Sequence, residues 1–144
     1  MQPSKSQNAR ESERATFLAE AGWSSARRTP LAGDASTRSY ERLQLGDRRA
    51  ILMNAPIDAE SSSCPVDATP EIRRRLGYNA LARLAGPNLN AFIAISKTIR
   101  KMGLSAPDIY FADVTAGFAL IEDLGDNLFA SAIQGGMDEF MLYA

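Results

Sequence analysis

The feature that most constrains this chain is a run of alternating strand and turn signals between Thr29 and Asn54. Thr29–Ala32 reads as a strand, and Gly33-Asp34-Ala35-Ser36-Thr37 as a tight turn of small residues. Ser39–Leu45 is a second strand, Gly46-Asp47 a two-residue hairpin signal, and Arg49–Asn54 a third strand that Pro56 ends. Three antiparallel strands on two turns form a curled sheet with an unprotected face. A helix from elsewhere in the chain has to cover it.

Met1–Arg10 is polar and expected to be disordered, and Glu11–Ala21 forms a short amphipathic helix with Ala15, Phe17, Leu18 and Ala21 on one side. Gly22 is its C-cap. Ile57–Pro70 has no period and reads as a linker-like insertion, followed by a helix over Glu71–Ala85 with Ile72, Leu76 and Leu84 on one side. Asn90 is the expected N-cap of a helix over Ala91–Met102, whose Phe92, Ile95, Ile99 and Met102 recur at helical spacing. Ile109–Ala112 and Phe118–Asp123 are two more strands around a turn at Thr115-Ala116-Gly117, and Met137–Tyr143 begins a helix. The expected fold class is α+β: a five-stranded antiparallel sheet with one crossing helix.

Composition removes several function classes. Of 144 residues, 16 are basic and 17 acidic, a net charge of -1, so no electrostatic footprint for nucleic acid exists. The short run Arg73-Arg74-Arg75 is a solvated helix face rather than a phosphate patch. Histidine is absent, which excludes His-dependent triads and His metal sites. The single cysteine, Cys64, makes neither an internal disulfide nor a zinc site. No apolar run reaches the ~18 residues of a membrane span and no signal peptide opens the chain, so the expected compartment is the cytoplasm.

The turn Gly33–Thr37 carries the first chemical signal. Successive backbone N–H groups of small residues can meet phosphate oxygens, Ser36 and Thr37 add hydroxyl donors, and Arg38 adds a fixed charge. The alternative is an ordinary hairpin turn in which Asp34 caps its own backbone. Ile51 and Met53 share one face of the third strand, and Arg42 shares a face with Arg38 by strand alternation.

Four motifs in order resemble the small lobe of protein-kinase-like folds: Gly33-Asp34-Ala35-Ser36-Thr37-Arg38-Ser39-Tyr40; Ile51-Leu52-Met53-Asn54-Ala55-Pro56; Gly103-Leu104-Ser105-Ala106-Pro107 with Ala112-Asp113; and Leu120-Ile121-Glu122-Asp123-Leu124-Gly125-Asp126. The closest resemblance is to the aminoglycoside-phosphotransferase superfamily, in particular its bacterial amino-sugar kinases acting on N-acetylmuramate and N-acetylglucosamine. It spans about two thirds of the chain.

The resemblance implies an ATP-binding site. Gly33, Asp34, Ala35, Ser36, Thr37 and Arg38 would lie at the phosphates, with Arg42 the second candidate for the phosphate-holding charge. Ile51 and Met53 would lie under the nucleotide, with Ile51 on adenine. Glu122, Asp123, Leu124 and Gly125 would form the hinge whose backbone meets the adenine edge. Residues 1–125 would be the small lobe and 126–144 the start of a second, helical lobe that is otherwise missing. That lobe would hold the acceptor site and the Mg²⁺ ligands, so neither a catalytic nor a metal-binding residue is assigned to this chain. Leu128–Tyr143 would then expose apolar side chains and favour self-association.

One departure from the usual kinase pattern is plain. The third strand normally carries a lysine paired with a helix glutamate, whereas this chain has Met53, and Ala91–Met102 contains no acidic residue. Both halves of the ion pair are absent together, and the amino-sugar kinases resembled also carry methionine there. The competing reading is a nucleotide-independent interaction module built on the same lobe.

Overall fold

Residues 5–32, 38–56, 67–76, 89–126 and 133–136 are described by a computed structural model of the chain. Among them five strands form one antiparallel sheet in the order β1-β2-β3-β5-β4. The strands are β1 (Arg27–Pro30), β2 (Ser39–Leu45), β3 (Arg48–Asn54), β4 (Ile109–Asp113) and β5 (Phe118–Ile121), and the helices are α1 (Lys5–Glu20), α2 (Pro70–Leu76) and α3 (Leu89–Lys101).

The β2–β3 hairpin follows from local chemistry. Gly46 takes φ +59°, the left-handed conformation that a tight two-residue turn requires, and Leu45 then pairs with Arg48. β1 lies two residues earlier than its composition suggests. Its register against β2 runs from Arg27↔Gln44 to Pro30↔Glu41, and Arg28 bonds Glu41. Pro30 is tolerated because β1 is an edge strand and loses no ladder bond there.

β3 and β5 are buried over continuous runs, Ala50–Met53 and Phe118–Ile121. Such runs demand cover on both faces, and the fold supplies two helices rather than the single crossing helix expected. On one face Phe17, Leu18 and Trp23, from α1 and the turn after it, pack on Leu43, Ala50, Leu52, Phe118 and Leu120. On the other, Leu89, Phe92 and Ile93 of α3 pack on Ile51, Met53, Ala55, Ala119 and Ile121.

Both helices depart from their apolar patterns for the same reason: polar anchoring. α1 begins at Lys5, so residues 5–10 are helical and not disordered as expected. Its first half is tied to the sheet by arginines. Arg10 donates to Asn54 Oδ1 and to the Ala116 and Gly117 carbonyls, and its guanidinium lies 3.8 Å over the Phe118 ring. Arg14 meets Glu41 at 3.0 Å.

α3 buries Leu89 and Ser96, while Ile95 and Met102 are exposed. The buried stripe is therefore rotated from the expected Phe92-Ile95-Ile99-Met102 line. Ser96 Oγ donates to the Pro107 carbonyl at 2.6 Å and Arg100 to the Ala106 carbonyl at 2.9 Å, which sets the helix's roll. Asn90 lies inside α3, not at its cap. α2 starts at Pro70 behind Thr69, whose hydroxyl accepts the Ile72 N–H. The stretches expected as an insertion (57–66), as the rest of the α2 helix (77–85) and as the last helix (137–143) lie outside the described residues.

Candidate functional site

The face of the sheet under α3 carries the sequence-derived candidates. β2 presents Tyr40 and Arg42, opposite Met53 and Ile51 of β3, which in turn pair with Ala119 and Ile121 of β5. Ile51 and Met53 do share this face, as strand alternation requires. Met53 is 1% exposed in a cluster that includes Leu89 of α3. Where an ionic pair would join strand to helix, the contact here is apolar. An unpaired ammonium in this place would be desolvated without compensation.

The sheet opens beside Ile51. β3 runs back to Arg48 and stays paired with β2, but its pairing with β5 ends at Ile51↔Ile121. After Ile121 the chain keeps to β4: the Glu122 N–H donates to the Asp108 carbonyl at 2.8 Å. Alternation along β5 directs the Gly117 carbonyl toward β3, where it accepts the Ala55 N–H. By the same alternation the main chain of Asp123 turns to the side that β3 has vacated.

The segment 122–125 is held from two sides. From α3, Arg100 Nη2 lies 2.9 Å from Asp108 Oδ2, and its Nη1 lies 3.7 Å from Glu122 Oε2. The Asp108 N–H donates to that same Glu122 oxygen at 3.0 Å, so a side chain takes the place of a ladder carbonyl. From β2, Arg42 reaches Asp123 and Asp126. Its Nη1 and Nη2 bond the two Asp126 oxygens at 2.7 and 2.8 Å, and Nη2 bonds Asp123 Oδ1 at 3.1 Å. Arg42 Nε is 2.8 Å from Asp123 Oδ2, close enough for an ionic contact but off the line of an aligned hydrogen bond.

Hydrogen bonds to these carboxylates hold the Arg42 guanidinium above its ordinary pKa, and Arg42 in turn holds the Asp126 carboxyl below the usual carboxylate range. Asp123 Oδ1 also accepts the Gly125 N–H at 3.0 Å, and Gly125 turns the chain at φ +82°. Leu124 points outward and is exposed.

The structure thus brings Ile51, Met53, Asp123 and Arg42 to one face, with Glu122, Leu124 and Gly125 at its margin. Arg42, the second candidate for a phosphate-holding charge, is bonded to Asp123 and Asp126. Arg38 immediately precedes β2 and is half-buried, and Asn54 Nδ2 donates to Ser39 Oγ beside it. Gly33, Asp34, Ala35, Ser36 and Thr37 lie outside the described residues.

Sequence reading assigned no role to Arg100 or Asp108, and Asp126 stands in the fourth motif without one. Their signal, charges at the ends of apolar segments, is common to most surfaces. Beside the main chain that leaves the ladder, this face carries Ile51 and Ile121, both buried in the cluster under α3. Among the described residues no group of three or more His, Cys, Asp or Glu could hold a metal ion, and no helix is long and apolar enough to cross a membrane.

The chain is similar to the N-acetylmuramate/N-acetylglucosamine kinase of Caulobacter vibrioides, with 49% identity over 134 residues. The match covers 93% of this chain but only 37% of the relative, so the chain spans little more than a third of the curated protein it matches. No family model matches the chain.

Proposed function

We propose that this chain is the ATP-binding lobe of a small-molecule phosphotransferase whose acceptor is an amino sugar. The observation that carries the reading is the opening beside Ile51, where β3 loses β5 as a partner and the segment 122–125 is held open by charged side chains. Main chain outside the ladder keeps N–H and C=O groups that a ligand edge can meet. The similarity to the N-acetylmuramate/N-acetylglucosamine kinase supports an amino sugar as the acceptor class.

In this reading adenine rests on Ile51, with Met53 deeper on the same face, and its edge meets the main chain of 122–125, Asp123 foremost. Gly33–Thr37 supplies N–H and hydroxyl donors to the phosphates, and Arg38 supplies the formal charge that Met53 cannot. The acceptor site, the Mg²⁺ ligands and the acid–base chemistry belong to the portion of such a kinase that this chain does not span. Residues 126–144 begin that portion, and the compartment is the cytoplasm.

ATP and adenosine titrated into the chain and into Arg38→Ala test the reading. A charge-assisted phosphate contact is worth roughly 1.5–3 kcal/mol, so ATP should weaken by ~10- to 100-fold in the variant while adenosine hardly changes. Equal losses for both ligands would assign Arg38 to the fold. No ATP effect on the parent at millimolar concentration would favour a nucleotide-independent interaction module.

A further inference from the structure

Arg42 sits in an unusual place for a residue with no role in the reading above. It is on the same face as Ile51, directly across the β2–β3 ladder from it. Its side chain crosses the opening in the sheet to reach a segment 81 to 84 residues away in sequence. The two carboxylates it meets differ in kind. The Asp123 side chain is 5% exposed and also closes the Gly125 turn, whereas Asp126 is 79% exposed. A guanidinium bonded to both fixes where the segment 122–126 lies relative to Ile51. The opposite side of that segment is already fixed by Arg100 through Asp108 and Glu122.

We infer that Arg42 is a positioning residue for the base end of the nucleotide site. It sets the gap between the Ile51 floor and the Asp123 main chain, and it takes no part in holding phosphate. This rests on the nucleotide reading above and deepens it. A planar base needs its apolar floor and its hydrogen-bonding edge held at a fixed separation, and Arg42 ties β2, beside Ile51, to the segment that carries that edge. Without the tie, the segment from Glu122 to Asp126 keeps its bond to Asp108 and loses its anchor to β2.

NMR titration of ATP and of adenosine, against the parent chain, Arg42→Met, Arg42→Lys and Asp126→Asn, separates the possibilities. Arg42→Met should weaken ATP and adenosine by the same factor, about 5- to 30-fold, because main-chain hydrogen bonds to the base lose their alignment. Arg42→Lys should recover only part of the loss, since an ammonium cannot bridge two carboxylates in the plane of a fork. Asp126→Asn leaves the Arg42–Asp123 contact in place and should fold as the parent does. It should weaken both ligands equally, by about 2- to 4-fold, the size of an exposed ion pair.

A loss of ATP affinity with adenosine unchanged would overturn the inference and return Arg42 to the phosphates. So would wild-type affinity for both ligands in folded Arg42→Met and Asp126→Asn. If neither ligand shifts a resonance of the parent, the nucleotide reading itself falls. If the parent binds both ligands and only the Arg42 expectations fail, that reading stands.

Discussion

Gly117→Ala should destabilise the chain by about 1.5–3.5 kcal/mol, and the structure separates that cost into two parts. The residue sits at the β4–β5 turn with φ +72°, where an L side chain costs roughly 1–2 kcal/mol. A Cβ built there would also overlap the Ala55 carbonyl oxygen and lie 3.1 Å from its carbon. Ala55 is buried, and its N–H donates to the Gly117 carbonyl at 2.8 Å. Relief of the overlap must shift one peptide or the other and weaken that bond, worth about 0.5–1.5 kcal/mol net. Arg10, which donates to the Ala116 and Gly117 carbonyls, would move with it.

Gly46→Ala is the internal control. It also has a positive φ, +59°, but a Cβ there meets nothing within 4 Å, so only the conformational cost of roughly 1–2 kcal/mol applies. Urea unfolding followed by the fluorescence of Trp23, the single tryptophan and a member of the core, reads both variants. Equal midpoints for Gly117→Ala and Gly46→Ala, at an unchanged denaturant slope, would show that the Ala55–Gly117 corner yields easily and would refute the reasoning.

Restoring the usual strand lysine with Met53→Lys should not improve ATP binding. It should cost about 2 kcal/mol or more, because the site is 1% exposed and lined by Leu89, Ala119 and Ile121. A variant with tighter ATP binding at parental stability would contradict this. The acid limb of stability should depend on Glu11 and Asp126, both with depressed folded-state pKa values, Glu11 chiefly through its hydrogen bond with Arg28 and Asp126 through that with Arg42. For a depressed carboxyl the contribution is present above its unfolded pKa, near 4 to 4.5, and is lost as pH falls through the lower folded value. Urea midpoints should therefore fall between pH 5 and pH 3. Arg28→Met should flatten the Glu11 part of that fall, and an unaltered profile in that variant would count against it.

Local chemistry made much of the sheet legible. Ser39–Leu45 is found with its expected bounds and β3 within one residue, because the Gly46-Asp47 turn and the strand period act over a few neighbouring residues. The shared face of Ile51 and Met53 follows from the same period. The helices were less legible. Nothing in the apolar period of α3 announces that Ser96 is buried, since the reason lies in the Pro107 carbonyl. Nor does the sequence of residues 5–10 announce a helix, since its anchors are Asn54 and the Ala116 and Gly117 carbonyls, over 40 residues away in the chain for Asn54 and over 100 for the others.

The chain's local chemistry set the hairpins and, within each strand, which residues share a face, because tight turns and side-chain alternation are short-range rules, whereas the pairing of β3 with the distant β5 came only with folding. Tertiary structure alone decided the employment of the charges. Arg42 reads as one more cation near a phosphate-like turn until β2 is laid beside the segment after β5, where it meets Asp123 and Asp126. Arg100 reads as the basic end of a helix until the chain folds back and brings it to Asp108 and Glu122. A guanidinium can serve any carboxylate within reach of its long side chain, and which ones come within reach is settled only when distant strands are packed.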